Sequence, residues 1–243
     1  MRTKKKVSSV GKPLVTVCTP TYNRRDFIPA LIQCFENQSY PRELLEWVVV
    51  DDGSDPVGDL FEGVRGVKYY KSEERMNLGF KRNYMNSKAS GEIIVYMDDD
   101  DYYPPDRVLH AVYKLRSNPS ILIAGSSKMH IYFKDLNKIY QFGPYGPNHA
   151  TAATFAFKKK LLNLTAYDDN ALVSEERFFL KGFTIPMVQL DSKRTILAFA
   201  HAQNTFDKRR VLLNPKTKNV RETKFSPSVF IKDKKLCEYY INQ

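Results

Sequence analysis

From Leu14 to Arg116 the chain alternates between short β-rich apolar runs, each ending in polar or acidic residues, and stretches whose apolar positions recur at helical spacing. LVTVCTP from Leu14 predicts a first strand, and Phe27, Leu31, Ile32 and Phe35 predict a helix over Asp26 to Asn37. Leu44 to Val50 predicts a second strand stopped by Asp51, Asp52 and Gly53, and Val67 to Tyr70 a third. Phe80 to Ala89 reads as a helix closed by Gly91, and Ile93 to Met97 as a fourth strand. Pro104 and Pro105 then open a helix to about Arg116, since proline is tolerated in a first helical turn. This alternation argues for an α/β fold built on a mostly parallel central sheet. Ligands of such sheets bind beyond the carboxyl ends of the strands, so TPTYNRR, DDGS and DDDD are expected to share one edge.

After Ile121 the pattern changes. ILIAGSSKMHIYF and KIYQFG read as strands joined through a KDLN turn, Thr151 to Phe157 as a strand, Ser174 to Leu180 as a short helix and Thr195 to Ala200 as a further strand. Beyond Asn204 charges dominate and the apolar pattern fades. The organisation expected is a basic arm over 1–13, one domain over 14–214, and a loosely attached basic tail over 215–243.

With 243 residues, 42% of them hydrophobic, the chain can bury one substantial core and is not disordered. No apolar run approaches the roughly 18 residues of a membrane span, and MRTKKKVSSVGKP is followed by no apolar h-region, so a soluble, cytoplasmic protein is expected. Cys18, Cys34 and Cys237 lack metal-ligand spacing and read as reduced thiols. The formal charge of +11 gathers at the two ends, which suits polyanions, phosphorylated substrates or peripheral contact with an acidic membrane face.

Candidate chemistry centres on IIVYMDDDDYYPPD, Ile93 to Asp106. Four adjacent carboxylates repel one another, so they require full solvation or a cation. Capping the next helix needs only one of them. Hard oxygen ligands suit Mn²⁺ or Mg²⁺, which commonly complete their shells with water and substrate phosphates. DDGS, Asp51 to Ser54, is by itself most simply a tight turn after a strand, although its carboxylates could also accept hydrogen bonds from a base or ribose.

Taken in order, VTVCTPTYNRRDFIPALIQCF, VVVDDGS, NLGFKRNYMNSKASGEIIVYMDDDDYYPPDRV and SEERFFLKG resemble glycosyltransferase family 2 over about Leu14 to Asn204. The resemblance implies a GT-A fold with a smaller antiparallel sheet on the acceptor side. It also implies a metal-dependent, inverting transfer from a nucleoside-diphosphate sugar, often UDP-linked, to a carbohydrate or protein-linked glycan. Thr19, Pro20, Tyr22 and Arg24 would then cradle the nucleotide from the loop after the first strand, with Tyr22 as a stacking surface. Asp51 or Asp52 would bind the base or ribose, the family pattern slightly favouring Asp51 for that contact and Asp52 for the turn, while Arg75, Asn77 and Arg82 fall where the family contacts nucleotide or diphosphate.

Two registers of the acidic run are possible. One pairs Asp98 with Asp100 as the Asp-x-Asp ligands; the other, as in spore-coat-type members, gives Asp99 to the ribose and Asp100 to the metal. Asp100 is common to both and is the expected principal ligand, with His201 a further candidate. The general base falls at Glu175, with Glu176 as its backup, because many relatives carry Glu-Asp where this chain has Glu-Glu. His149 to Thr154 lies where the acceptor side would be built, and Arg209 and Arg210 could close over the diphosphate. Two other readings compete: a nucleotidyltransferase, for which TPTYNRR lacks a glycine-rich phosphate loop, and a polyanion-binding module, whose phosphate partner the aspartates would repel. Nucleic acid is accordingly not an expected partner.

Overall fold

The structure, a computed structural model, describes residues 11–201, 212 and 219–242. Its centre is four parallel strands, β1 (Val15–Thr21), β2 (Leu45–Asp51), β3 (Val67–Lys71) and β4 (Ile93–Tyr96), in the order β3-β2-β1-β4. Each lies within one residue of the span its apolar run predicts. Val15, Val17, Trp47, Val49, Ile93 and Val95 enter one core, whereas Cys18, Val48, Val50, Ile94 and Tyr96 enter the other. Burial on both faces explains why these runs are apolar throughout rather than alternating. Helix α1 (Ile28–Glu36) buries Ile28, Leu31, Cys34 and Phe35; α2 (Leu78–Lys88) turns Lys81, Arg82, Met85 and Asn86 inward; α3 (Arg107–Ser117) buries Val108, Ala111, Val112 and Leu115. The prolines precede α3 rather than opening it, since Arg107 N–H closes a turn onto Pro104 O at 3.0 Å.

Beyond α3 come β5 (Ile123–Gly125), β6 (Met129–Phe133), β7 (Lys138–Phe142), β8 (Ala156–Lys158), the short α4 (Glu176–Phe179), β9 (Met187–Gln189) and β10 (Leu197–Ala200). β8 lies antiparallel between β4 and β5, extending the main sheet to β3-β2-β1-β4-β8-β5-β9. β6 and β7 form the predicted hairpin, with Asn137 left-handed in its turn at φ 48°. The strand expected from Thr151 is shorter than its apolar run, because 152–154 close a 3-10 turn before β8.

Contrary to the expectation of a loosely attached tail beyond 215, the C-terminal segment is built into both sheets' packing. β11 (Val220–Glu222) pairs antiparallel with β7, completing a second sheet in the order β10-β6-β7-β11. Helix α5 (Lys234–Asn242) comes after it, and Phe230, Ile231, Leu236, Cys237 and Tyr240 are buried in the main core. Lys224, Lys232, Lys234 and Lys235 are exposed. These charges on the outer face dilute the apolar positions in the linear sequence. Leu236→Asp is therefore expected to destabilise the whole chain by about 3 kcal/mol, read from its urea midpoint, since it buries an unpaired charge. An unchanged midpoint would restore the detached tail. All three cysteines are free and buried. Among the described residues, no helix is long and apolar enough to cross a membrane.

Candidate active site

The register that pairs Thr21 with Asp51 and Cys18 with Tyr96 brings the ends of β1, β2 and β4 to one edge. Thr19 and Pro20 lie inside β1 rather than in the loop expected to cradle a nucleotide. Thr19 Oγ1 donates to Met97 O at 2.7 Å and accepts from Trp47 Nε1 at 2.9 Å, so its hydroxyl fastens β1 to its neighbours. Tyr22 and Arg24 do emerge from the edge. Tyr22 is 36% exposed, with the Arg75 guanidinium 4.4 Å from its ring centre. Arg24 reaches the acidic run, at 3.8 Å from Asp99 and 3.7 Å from Asp100. Asn77 is exposed at the start of α2 and bonds the helix only through its backbone carbonyl, which accepts from Lys81 N–H at 2.9 Å.

The two carboxylates of DDGS have different partners. Asp51 is fully buried, accepting from Gly53 N–H at 2.8 Å, Val57 N–H at 3.0 Å and Tyr69 Oη at 2.6 Å. It organises the turn and has no surface left for a base. Asp52 instead pairs with Lys81 Nζ and accepts from Met76 N–H at 2.6 Å, joining β2 to the segment that carries Arg75 and Asn77. Glycine is required beside them, because a Cβ on Gly53 would stand 2.6 Å from Asn23 N in the loop after β1. Lys81 has no separate signal in the sequence beyond its place in NLGFKRN.

The four aspartates differ in their partners, although Asp99 and Asp100 share Arg24. Asp98 faces Arg82, whose Nη1 and Nη2 each donate at 3.3 Å to one of its oxygens. Burial raises its carboxyl pKa while Arg82 pulls it down. Asp99 faces Arg24; burial and then the charge of Asp100 push its carboxyl well above the ordinary range. Asp100 Oδ2 lies 3.0 Å from His201 Nε2. Asp101 turns away, accepting from Phe199 N–H at 3.0 Å.

Both oxygens of Asp98, one of the expected metal ligands, face the Arg82 guanidinium. Among the described residues no cluster of three His, Cys, Asp or Glu side chains is assembled for a metal. Asp100 and His201 nevertheless fit a divalent ion: a hard oxygen and an imidazole nitrogen already converge, and such an ion can take its remaining ligands from water and phosphate.

Arg82 links this run to the candidate base. It is 2% exposed and donates from Nε to Glu175 Oε1 at 2.7 Å while holding Asp98. Burial works against its charge, but Asp98 and Glu175 together hold its pKa well above the ordinary value. Glu175 is 5% exposed, stands at the N-cap of α4, and lines a cleft of about 810 Å³ with Leu164, Val173, Arg177, Phe178 and Lys181. Gly79 permits the opposite wall: a Cβ there would overlap Asp168 O at 1.8 Å, and Gly79 N–H donates to Ala171 O at 3.0 Å. Glu176 does not line the cleft; burial, and then Glu175, raise its pKa. His149 lies apart from Glu175, stacked on Phe183 at 4.7 Å in a smaller recess with Tyr145. Arg209 and Arg210 lie outside the described residues.

A mostly parallel sheet with carboxylates and arginines along its carboxyl edge, and a second small sheet beside it, defines a GT-A type of fold. The family model described as "Glycosyl transferase family 2" matches residues 16–176, and the chain belongs to that family. It is 32% identical over 107 residues to the putative teichuronic acid biosynthesis glycosyltransferase TuaG of Bacillus subtilis, a match covering 40% of each chain. It is 35% identical over 92 residues to the poly(ribitol-phosphate) beta-N-acetylglucosaminyltransferase TarS of Staphylococcus aureus, covering 36% of this chain and 16% of that one. Among solved structures, the mannosyltransferase PcManGT from Pyrobaculum calidifontis, in complex with GDP-Man and Mn²⁺, aligns with a TM-score of 0.64 at 20% identity, over 81% of this chain and 59% of the other. TarS in complex with UDP-GlcNAc aligns at 0.61 and 18% identity, over 89% and 63%. The chain thus spans less than half the length of these curated relatives and under two thirds of these structures.

Proposed function

We propose that this chain moves a sugar from a nucleoside-diphosphate donor, UDP-linked in the first instance, to a hydroxyl of a carbohydrate or protein-linked glycan, with inversion and with a divalent ion. The observation that carries this reading is the Arg82 bridge, which pairs with Asp98 of the acidic run on one side and with Glu175 on the other. Tyr22 with Arg75 would give the base a stacking platform, and Asp52, rather than Asp51, would meet the base or ribose after exchanging its bond to Met76. Asp99 and Arg24, 3.8 Å apart, would face the ribose and diphosphate. Asp100 and His201 would hold Mn²⁺ or Mg²⁺, which when bound neutralises charge developing on the departing diphosphate.

Glu175 supplies the remaining chemistry. Arg82 fixes its Oε1, and Oε2 accepts no hydrogen bond from a described residue. That oxygen would take the proton of the acceptor hydroxyl as its oxygen bonds to the anomeric carbon and the bond to diphosphate breaks on the opposite face. The complexes of the two structural neighbours, one with a GDP-linked and one with a UDP-linked sugar, support a nucleotide-sugar donor of this class without choosing the base.

A thermal-shift panel of UDP-, GDP- and dTDP-sugars, with Mn²⁺ and with EDTA, tests the donor. UDP-sugars are expected to stabilise the protein more in Mn²⁺ than in EDTA, by about 2.7 kcal/mol in Mn²⁺ at a hundredfold excess over Kd. A panel in which no nucleotide sugar stabilises it under either condition would remove the donor reading.

A further inference from the structure

Asp101 turns away from the cleft, and its connections lead to the opposite end of the chain. Its carboxylate accepts from the backbone N–H of Phe199, two residues before His201. Its carbonyl accepts from Tyr240 Oη on α5 at 3.0 Å. The next residue, Tyr102, forms an antiparallel bridge with Leu197 through N–H to O distances of 3.1 and 3.0 Å. Tyr240 is 3% exposed; its ring stacks on Phe199 at 4.9 Å and meets Tyr102 edge-on at 5.7 Å. Its hydroxyl also lies 3.5 Å from Cys34 Sγ on α1.

These contacts fix the acidic run against β10 in one register. A carboxylate bond, two backbone bonds and a stacked ring all act close to the point where Asp100 Oδ2 and His201 Nε2 come to 3.0 Å. A pair drawn from chain positions 101 residues apart needs such bracing, because a ligand set loosened by about 1 Å loses much of its affinity. We propose that Asp101 and Tyr240 are positioning residues: through the Phe199 backbone and the Asp101 carbonyl they hold Asp100 and His201 together as the metal-binding pair. The C-terminal helix thereby becomes part of the site, although it touches no substrate. The metal half of this inference rests on the proposed function; the bracing half does not.

Two measurements separate these halves. In metal-free protein, the imidazole ¹H–¹³C cross-peaks of the four histidines are recorded for the wild type, Asp100→Ala, Tyr240→Phe and Asp101→Ala. Tyr240→Phe keeps the ring and its packing and removes only the hydroxyl, so it is the variant least prone to unfold. The His201 peaks are expected to move in Tyr240→Phe and Asp101→Ala toward their position in Asp100→Ala, while His110, His130 and His149 stay in place. His201 peaks unmoved in both variants would overturn the bracing role. In a second arm, electron paramagnetic resonance of free Mn²⁺ in the presence of UDP should show affinity falling about tenfold in Tyr240→Phe, with UDP binding in EDTA unchanged. Unaltered Mn²⁺ affinity would overturn the link from Tyr240 to the metal. A wild type that binds no Mn²⁺ would remove the metal half and leave the cross-peaks to decide the rest.

Discussion

Replacing Glu175 by glutamine is expected to lower sugar transfer by about 10²- to 10⁴-fold while leaving nucleotide binding intact. The amide has nearly the same shape, and its oxygen can still accept from Arg82 Nε, so the wall of the cleft survives. What it cannot do is remove a proton. Glu176→Gln is the matched control: its side chain lies outside the cleft, and burial with the charge of Glu175 raises its carboxyl pKa. Transfer should persist in that variant. If Glu176→Gln loses transfer while Glu175→Gln keeps it, the base has been assigned to the wrong neighbour.

Arg82→Met should damage both the fold and the reaction. Truncating the guanidinium leaves Asp98 and Glu175 without their shared cation in a buried site, at a cost of about 3–5 kcal/mol near neutral pH. The sign of its pH dependence follows from Asp98. Burial already raises that carboxyl, and Arg82 is the charge that opposes the rise. Without Arg82 the folded state holds its proton to higher pH than the unfolded chain does. Stability is then lost as pH rises through the folded value and regained as it falls. Urea midpoints at pH 7.5 and pH 5 should therefore show a gap between wild type and Arg82→Met that narrows in acid. A gap that widened in acid would mean that the pairing with Asp98 is not what Arg82 contributes.

The parallel core was legible because its strands are buried on both faces: runs such as LEWVVVD and IIVY announce themselves without any knowledge of their neighbours. The shared edge followed from that topology, and with it the nearness of Arg24 to the acidic run. What the sequence could not reveal was which of several adjacent like residues faces which partner. Asp51 and Asp52 differ by one position, yet the pleat sends one carboxylate into the turn made by Gly53 and Val57 and the other toward Lys81. Similarly, DDDD cannot show that Asp98 meets Arg82 or that Asp101 holds a strand amide, because those partners come from α2 and β10.

The C-terminal region was misread for another physical reason. In α5 the fully buried positions are few, Leu236, Cys237 and Tyr240, with Tyr239 and Ile241 partly buried beside them and lysines before them. A linear average over such a segment resembles a solvated tail even when one face is buried. Antiparallel β8 shows a related limit, since three residues are too few for a period to declare itself. In both cases the decisive contacts are long-range, and a local pattern carries no record of them.

On this account the crowded aspartates are tolerable because cations divide them, with Asp100 reserved for a metal shared with the donor's diphosphate. Calorimetric titration of UDP in Mn²⁺ and in EDTA, on the wild type and on Asp100→Ala, tests it most directly. Mn²⁺ should strengthen UDP binding about tenfold or more in the wild type and not at all in Asp100→Ala. Equal affinities with and without Mn²⁺ in the wild type, or an enhancement that survives in Asp100→Ala, would contradict it.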